Sequence, residues 1–305
     1  MTASTLTRRG TLGLLGATAL APGALTAQDD RLTIGITLHP YYSFAINVAG
    51  DLAHVLPLIP GSANPHGYQP QPADIERLFD MDVLIVNGIG HDEWVKEILA
   101  AGGRDDLDII EANAAVALIP TKDMVAGRPL PNPHTFVSTT AAVQQVYEIA
   151  RKLGELRPED ASVFRRNARA YALQIRRLRA EFQQRVAGLD ATRFSAATMH
   201  SGYDYLFQEF GLPIRAVVEP RHGVSPTARQ LAQTIEMIRA AEVNVLFAET
   251  YFAGELAETI HAETGVRVYT LSHITDGDFT ADKFLNEMRT NVETLERAIT
   301  ESAAL

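Results

Sequence analysis

The 305-residue chain contains no cysteine. This absence excludes disulfide bonds, and we expect no lipid anchor attached through an N-terminal cysteine. Basic residues are in the minority, since 27 lysines and arginines stand against 37 acids and the formal net charge is −10. An acidic chain argues against binding to nucleic acid, whose phosphates require a basic face. Beyond the first thirty residues, no apolar run approaches the roughly 20 residues that span a bilayer.

The first 27 residues have the layout of a secretory signal peptide. Arg8 and Arg9 precede a small, apolar stretch over 11–21, and Ala27 ends a candidate cleavage site. The apolar stretch is too short to cross a membrane. The paired arginines are compatible with twin-arginine export, and the general secretory route stays equally open. We expect a mature protein of charge 25 − 37 = −12 that is free in the bacterial periplasm.

The rest of the chain alternates between strand and helix signals. Short apolar runs bounded by Gly, Pro or Asn predict strands, and apolar residues at every third or fourth position predict helices. This alternation predicts an α/β fold in which mainly parallel sheets are flanked by helices. The predicted strands are 31–37, 55–59, 83–86, 109–110, 194–198, 214–218, 243–248 and 266–271, and the predicted helices are 42–50, 72–79, 93–100, 139–153, 158–188, 203–209, 227–240, 256–263 and 281–299.

Residues 158–188 interrupt this alternation. Pro158 starts a helical pattern, and no Gly or Pro follows it until Gly188. A helix of this length runs roughly 45 Å at 1.5 Å per residue, which is longer than one lobe needs. An ordinary core helix is the alternative, but a second strand–helix series follows and favours a rigid link. We therefore predict an N-terminal metal-binding lobe over 28–157, a linking helix over 158–188, and a C-terminal metal-binding lobe over 189–305.

Three histidines stand in similar surroundings. His66 and His134 each follow an Asn-Pro dipeptide, and His200 lies in the segment Met-His-Ser-Gly-Tyr. They are separated by 134 − 66 = 68 and 200 − 134 = 66 residues, and each stands where a predicted element ends. A neutral imidazole is the commonest side-chain ligand of transition metals, and three of them with one carboxylate would complete a tetrahedral zinc site. A capping or surface role is the ordinary alternative for any one of them, but three in matching surroundings favour a metal site.

Four segments resemble a known family. They are NPHGYQPQPADI, NPHTF, MHSGYDYLFQEFGL and FLNEMRTNVETLERAI. The chain resembles the zinc/manganese-type periplasmic solute-binding proteins of ABC transporters (cluster A-I) over about residues 31–300. The resemblance implies two α/β lobes joined by one rigid helix, with a metal ion held between them and a membrane permease as partner. By position, it also implies that His66 and His134 are the first-lobe ligands and that His200 is a ligand from the second lobe.

The fourth ligand is less evident. The family usually has an aspartate just after the last strand, where this chain has Ser-His-Ile-Thr-Asp over 272–276. Asp276 is the predicted fourth ligand, reached by sliding the loop a few residues, and His273 and then Glu249 are the next candidates. Residues 120–131 lack the histidine-rich loop of many zinc-specific members. Three imidazoles and one carboxylate favour zinc over manganese, which prefers oxygen, although copper would bind such a site more tightly.

We therefore predict a monomeric periplasmic zinc receptor, not an enzyme, that delivers Zn²⁺ to the permease of an ABC importer. A periplasmic metallochaperone is a further candidate partner. The alternatives are a receptor for manganese or another divalent metal, a zinc-dependent hydrolase, and an adhesin or a receptor for a metal chelate. A hydrolase is disfavoured because no His-Glu-x-x-His motif is present, and Glu249 is the one plausible base. Of the remaining histidines, His91 is predicted to cap a helix, His39 to line the cleft, and His222 to lie in a surface loop.

Overall fold

The chain folds into two parallel sheets flanked by helices. The computed structural model describes residues 30–125, 127–218, 226–249 and 254–304, and residues Arg31–Leu305 form one unit. The predicted signal peptide, residues 1–27, lies outside the described residues, as does His222. The predicted α/β class with two lobes is confirmed.

The strands and helices follow the predicted order closely. The strands are β1 (Leu32–Ile36), β2 (Ala53–Pro57), β3 (Val83–Val86), β4 (Asp108–Glu111), β5 (Pro120–Val125), β6 (Arg128–Pro131), β7 (Ala196–Thr198), β8 (Ile214–Val217), β9 (Val245–Glu249) and β10 (Arg267–Leu271). The helices are α1 (His39–Ala49), α2 (Pro72–Leu78), α3 (Val95–Gly102), α4 (Thr139–Leu156), α5 (Ala161–Ala187), α6 (Asp204–Glu209), α7 (Ala228–Ala240), α8 (Glu255–Thr264) and α9 (Lys283–Ala303). Within this part of the chain, no helix combines the length and the apolar character needed to cross a membrane.

The two sheets have related topologies. The first has the strand order β2-β1-β3-β4 and the second the order β10-β9-β7-β8, and all neighbouring strands in them are parallel. The central strands β3 and β9 are buried along their whole length, as expected when helices cover both faces of a parallel sheet. In such sheets the carboxyl ends of the strands share one edge, where ligands bind.

The structure differs from the sequence prediction at the start of the long helix and in a hairpin. The long helix begins at Ala161 rather than at 158, because residues 158–160 form a turn before it. Residues 120–131 form an antiparallel hairpin of β5 and β6 that was not predicted. Gly127 has φ 78°, a left-handed conformation that glycine adopts without steric cost and that a tight hairpin turn requires.

A continuous apolar core joins the two sheets through three helices. Phe44 of α1 lies 6.3 Å from Tyr171 of α5 and 4.9 Å from Phe284 of α9, measured between ring centroids. All three side chains are buried, in a cluster that also includes residues of β1, β7, β9 and β10. Each aromatic side chain of this kind contributes roughly 1.5–3 kcal/mol by its burial. The last helix therefore packs against α1 as well as α5. The lobe boundaries at 157 and 189 stay a prediction.

Candidate metal centre

Two short turns of the same construction present His66 and His134. In each, the side chain of the asparagine two residues earlier accepts the backbone N–H of the histidine, at 3.0 Å from Asn64 and at 3.0 Å from Asn132. The intervening proline fixes the backbone φ angle of the turn. The Asn-Pro-His sequence thus builds a turn from local hydrogen bonds, which explains why the same three residues recur.

The neighbouring structure fixes these turns further. The indole N–H of Trp94 donates to the carbonyl of Pro65 at 2.9 Å, so the single tryptophan of the chain holds the turn of His66. The side-chain amide of Asn132 donates to the carbonyl of Ser201 at 2.7 Å. This second bond links the turn of His134 to the loop that carries His200.

His200 and His273 come from the other sheet. His200 lies two residues after the end of β7, and His273 lies two residues after the end of β10. The phenol of Tyr203 donates to the carbonyl of Leu271 at 2.9 Å, which ties the two loops together. The carboxyl ends of strands from both sheets therefore meet at one place.

The four imidazoles converge with the spacing of a tetrahedral zinc site. The Nε2 atoms of His134 and His66 are 3.3 Å apart, and the six distances between the ring centroids of His66, His134, His200 and His273 range from 4.9 to 5.9 Å. Nitrogens bound tetrahedrally at 2.0–2.1 Å from one zinc ion would be about 3.3 Å apart, with ring centres separated by about 5 Å. The ring spacing therefore fits one metal ion. The possible ligand atoms that lie within 4.8 Å of one another form two groups that share His273, one with His66, His91 and His134 and the other with His200 and Glu249.

Outer contacts orient three of these rings. The Nδ1 atom of His134 is 2.7 Å from Asn132 Oδ1, that of His273 is 3.0 Å from Thr275 Oγ1, and that of His200 pairs with the carboxylate of Glu249. An imidazole that donates from Nδ1 keeps the lone pair of Nε2 for a metal, and such partners are the usual support of metal-binding histidines.

Gly202 leaves the space that the second-lobe rings need. A Cβ atom at this position would collide with Nε2 of His200 and would lie 3.2 Å from Nε2 of His273. Both Nε2 atoms therefore lie close to Gly202. A side chain larger than hydrogen is therefore incompatible with this arrangement of the two rings.

The sequence is similar to that of a known protein family. The family model of the periplasmic component A of the zinc-uptake complex (ZnuA) matches residues 34–298. The chain belongs to this family. The family consists of substrate-binding receptors rather than enzymes.

Solved structures and curated relatives extend the match. The solute-binding protein FpvC of Pseudomonas aeruginosa, solved with Mn²⁺, is 48% identical with a TM-score of 0.85 over 89% of this chain and 99% of that one. A second FpvC structure, solved with Ni²⁺, is 47% identical with a TM-score of 0.83 over 89% of this chain and 98% of that one. The zinc-binding lipoprotein AdcA of Streptococcus pneumoniae serotype 4 is 26% identical over 88% of this chain, which spans 56% of that relative's length.

The predicted fourth ligand, Asp276, lies apart from the predicted ligands His66, His134 and His200. Among the described residues, the groups that could hold a metal contain His273 and Glu249 but not Asp276. Ile274, directly after His273, has φ 63°, an uncommon left-handed conformation for a β-branched residue. The turn places His273, which is 4% exposed, in the cluster. It then directs the following residues away from the cluster. Asp276 instead lines a separate pocket beside Gly61.

His91 joins the cluster, although the sequence predicted only a helix cap. It is 2% exposed, and its ring nitrogen lies within 4.8 Å of those of His66, His134 and His273. It follows β3 by five residues. Its position after a central parallel strand could have identified His91 as a site residue from the sequence, because ligands bind at the carboxyl edge of such sheets.

His39 lies near the cleft but outside the metal-binding groups of the described residues. Its ring stacks on Phe279 with centroids 4.0 Å apart, and its Nε2–H donates to the carbonyl of Gly277 at 2.9 Å. Burial lowers the pKa of His39 to about 4, an effect that the hydrogen bond to Gly277 only partly opposes. His39 is therefore a neutral contact between α1 and the loop after β10.

Proposed function

We propose that this protein is a periplasmic receptor that binds one zinc ion through His66, His134, His200 and His273 and delivers it to an ABC importer. The observation that carries the proposal is the convergence of four imidazoles at the spacing that a tetrahedral ion requires. Membership of the zinc-uptake family supports the delivery to a membrane permease.

The donor set supports zinc over manganese. All four proposed ligand atoms are imidazole nitrogens, which suit zinc, nickel and copper, whereas manganese prefers carboxylate, carbonyl and water oxygens. The relative AdcA is named for zinc, but FpvC was solved with Mn²⁺ and with Ni²⁺. A receptor for another divalent metal is therefore the alternative within the same class, and competition between metals distinguishes the two.

A bare ion suits the site better than a chelate. His134, His200 and His273 are between 2% and 4% exposed, so the centre of the cluster is enclosed by the rings themselves. A metallophore would need a cavity large enough for an organic ligand beside the metal. We therefore propose that the transported species is the metal ion alone.

Hydrolysis of a substrate at this zinc is disfavoured. A catalytic zinc site keeps one position open for water, whereas four imidazoles would fill a tetrahedral ion. Glu249, the candidate base, is 2% exposed and paired with the ring of His200. Its carboxylate thus has an orienting role in this proposal and is not available to activate water.

The proposal also covers the export of the protein, its oligomeric state and its partners. The segment 1–27 would direct export to the periplasm by the twin-arginine or the general secretory route. We propose that the mature protein works as a monomer and that a periplasmic metallochaperone is a further partner. The size of the mature chain in solution, measured by sedimentation, tests the first of these two statements.

Metal analysis tests the proposed function directly. The mature protein, stripped with a chelator and dialysed, should take up one zinc ion per chain and retain it in the presence of excess Mn²⁺. His134→Ala should take up less zinc than the wild type against a competing chelator, because it should bind zinc about a hundredfold more weakly, whereas His261→Ala, on the exposed side of α8, should match the wild type. Equal zinc uptake by the His134→Ala and wild-type proteins would show that the site lies elsewhere.

A further inference from the structure

The cluster contains one more imidazole than a tetrahedral ion needs. His91 comes from the loop after β3 and is held by its neighbour Asp92, a buried carboxylate. Asp92 accepts hydrogen bonds from the Thr37 hydroxyl at 2.6 Å, from the Asn87 N–H at 2.6 Å and from the Gly88 N–H at 3.1 Å. The loop is therefore fixed, and His91 is held in place inside the site.

His91 and His66 lie closer together than two imidazole ligands of one tetrahedral ion. Their ring centroids are 3.8 Å apart, whereas two imidazoles on one tetrahedral zinc have centres about 5 Å apart. The other distances from His91 do suit shared coordination, since its ring is 5.4 Å from that of His134 and 5.6 Å from that of His273. His91 thus meets the spacing requirement with two of the proposed ligands when it takes the place of His66.

The two rings also differ in their access to solvent. His66 is half-buried on a short turn whose neighbours Asn64 and Gly67 are exposed, whereas His91 is 2% exposed. An ion that enters from solvent therefore meets His66 first. A small rearrangement of the two adjacent rings would then exchange one nitrogen for the other without moving the second-lobe ligands.

We propose that His91 is an alternative metal ligand that exchanges with His66, so that the site has two tetrahedral ligand sets with His134, His200 and His273 in common. This inference rests on the proposed function, since it assumes that the other three histidines bind the ion. The set with His66 is the one reached from solvent, and the set with His91 is the enclosed one.

The test compares the zinc affinities of the wild type and of the variants His66→Ala, His66→Ala/His91→Phe and His134→Ala by competition with a chelating dye. His66→Ala should weaken binding only about tenfold, because His91 replaces the lost nitrogen. The double variant His66→Ala/His91→Phe should lose about a further tenfold, which brings the total to the roughly hundredfold loss expected when a ligand goes without a replacement. Phenylalanine keeps the ring that packs at 4.9 Å on Phe136, so the double variant removes the nitrogen but not the packing.

A second readout reports the coordination itself. Cobalt substituted for zinc should keep the intense visible absorption of tetrahedral Co²⁺ in His66→Ala and lose most of it in the double variant. His261→Ala serves as the control for loss of a surface histidine.

Two results would overturn the inference while the proposed function stands. One is that His66→Ala and His66→Ala/His91→Phe bind zinc with equal affinity. This result would show that His91 only packs against its neighbours and does not bind the metal. The other is a loss in His66→Ala as large as in His134→Ala. Absence of zinc binding by the wild-type protein would instead overturn the proposed function, and this inference with it.

Discussion

Replacing His273 with alanine is expected to weaken zinc binding about a hundredfold, whereas replacing Asp276 is expected to change it by at most a few-fold. The two residues are three positions apart in one loop, so they form a matched pair. His273 is buried among the other histidines, with ring centroids 5.0 Å from His134 and 5.4 Å from His200. Asp276 is half-buried beside Gly61 and outside the cluster.

The magnitude follows from the number of ligands. Four-coordinate structural zinc is bound with an apparent free energy of about 10–16 kcal/mol near neutral pH, or roughly 2.5–4 kcal/mol per ligand. A water molecule can take the position that His273→Ala vacates and restores part of this energy. A net loss of about 2–3 kcal/mol remains, which is a factor of roughly 30 to 150 in the dissociation constant. Asp276 contributes only the attraction of a screened charge.

The assay is a zinc titration of the purified mature variants against a competing chelator at pH 7.5. Thermal melts of the metal-free proteins provide the control for folding, because a variant that melts as the wild type does has lost a ligand rather than its structure. A larger loss of zinc affinity for Asp276→Ala than for His273→Ala would refute the proposed ligand set and restore the aspartate as the fourth ligand.

Three other predictions follow from the same site and its surroundings. Glu249→Gln should weaken zinc binding by about 10–100-fold, the usual cost of losing a partner that orients a ligand. The same zinc titration checks this prediction, and an unchanged affinity would show that the carboxylate of Glu249 does not support the site. Zinc affinity should fall steeply below about pH 6, because histidines with an ordinary pKa of about 6.5 must lose their protons to bind metal, and a flat profile from pH 7.5 to 5 would contradict histidine ligation. Burial lowers the pKa of His39 to about 4, so between pH 6.5 and 4 the unfolded chain takes up a proton that the folded one excludes. His39 should therefore contribute a decrease of about 3 kcal/mol to the unfolding free energy over this range, and urea denaturation of His39→Asn should show a smaller decrease than the wild type.

The sequence predicted the parts of the site that are built locally. In the turns of His66 and His134, an asparagine side chain accepts a hydrogen bond from the backbone N–H two residues later. Because this contact spans only three residues, the sequence Asn-Pro-His is enough to predict it. The alternation of strands and helices predicted the parallel sheets for the same reason. The position of His200 directly after a predicted strand likewise predicted that it lies at the carboxyl edge of a sheet.

The parts that depend on distant contacts were not predictable in the same way. The role of His273 depends on the left-handed backbone of Ile274, which no local rule assigns to a β-branched residue. The preference for a carboxylate as fourth ligand favoured Asp276, which lies outside the possible metal-binding groups of the described residues. His91 reaches the site because Asp92 fixes its loop to β1 through Thr37, 55 residues earlier in the chain.

The shared core restricts how an ion can enter. His66 and His134 follow elements of the first lobe, and His200 and His273 follow strands of the second, so a hinge motion would have to separate Phe44 from its partners on α5 and α9. Uncovering buried aromatic side chains costs several kcal/mol in total. Rearrangement of the turn of His66 costs less, because hydrogen bonds such as those from Trp94 and to Asn64 are each worth only about 0.5–1.5 kcal/mol. We therefore expect the metal to enter and leave past His66 while the two sheets keep their packing.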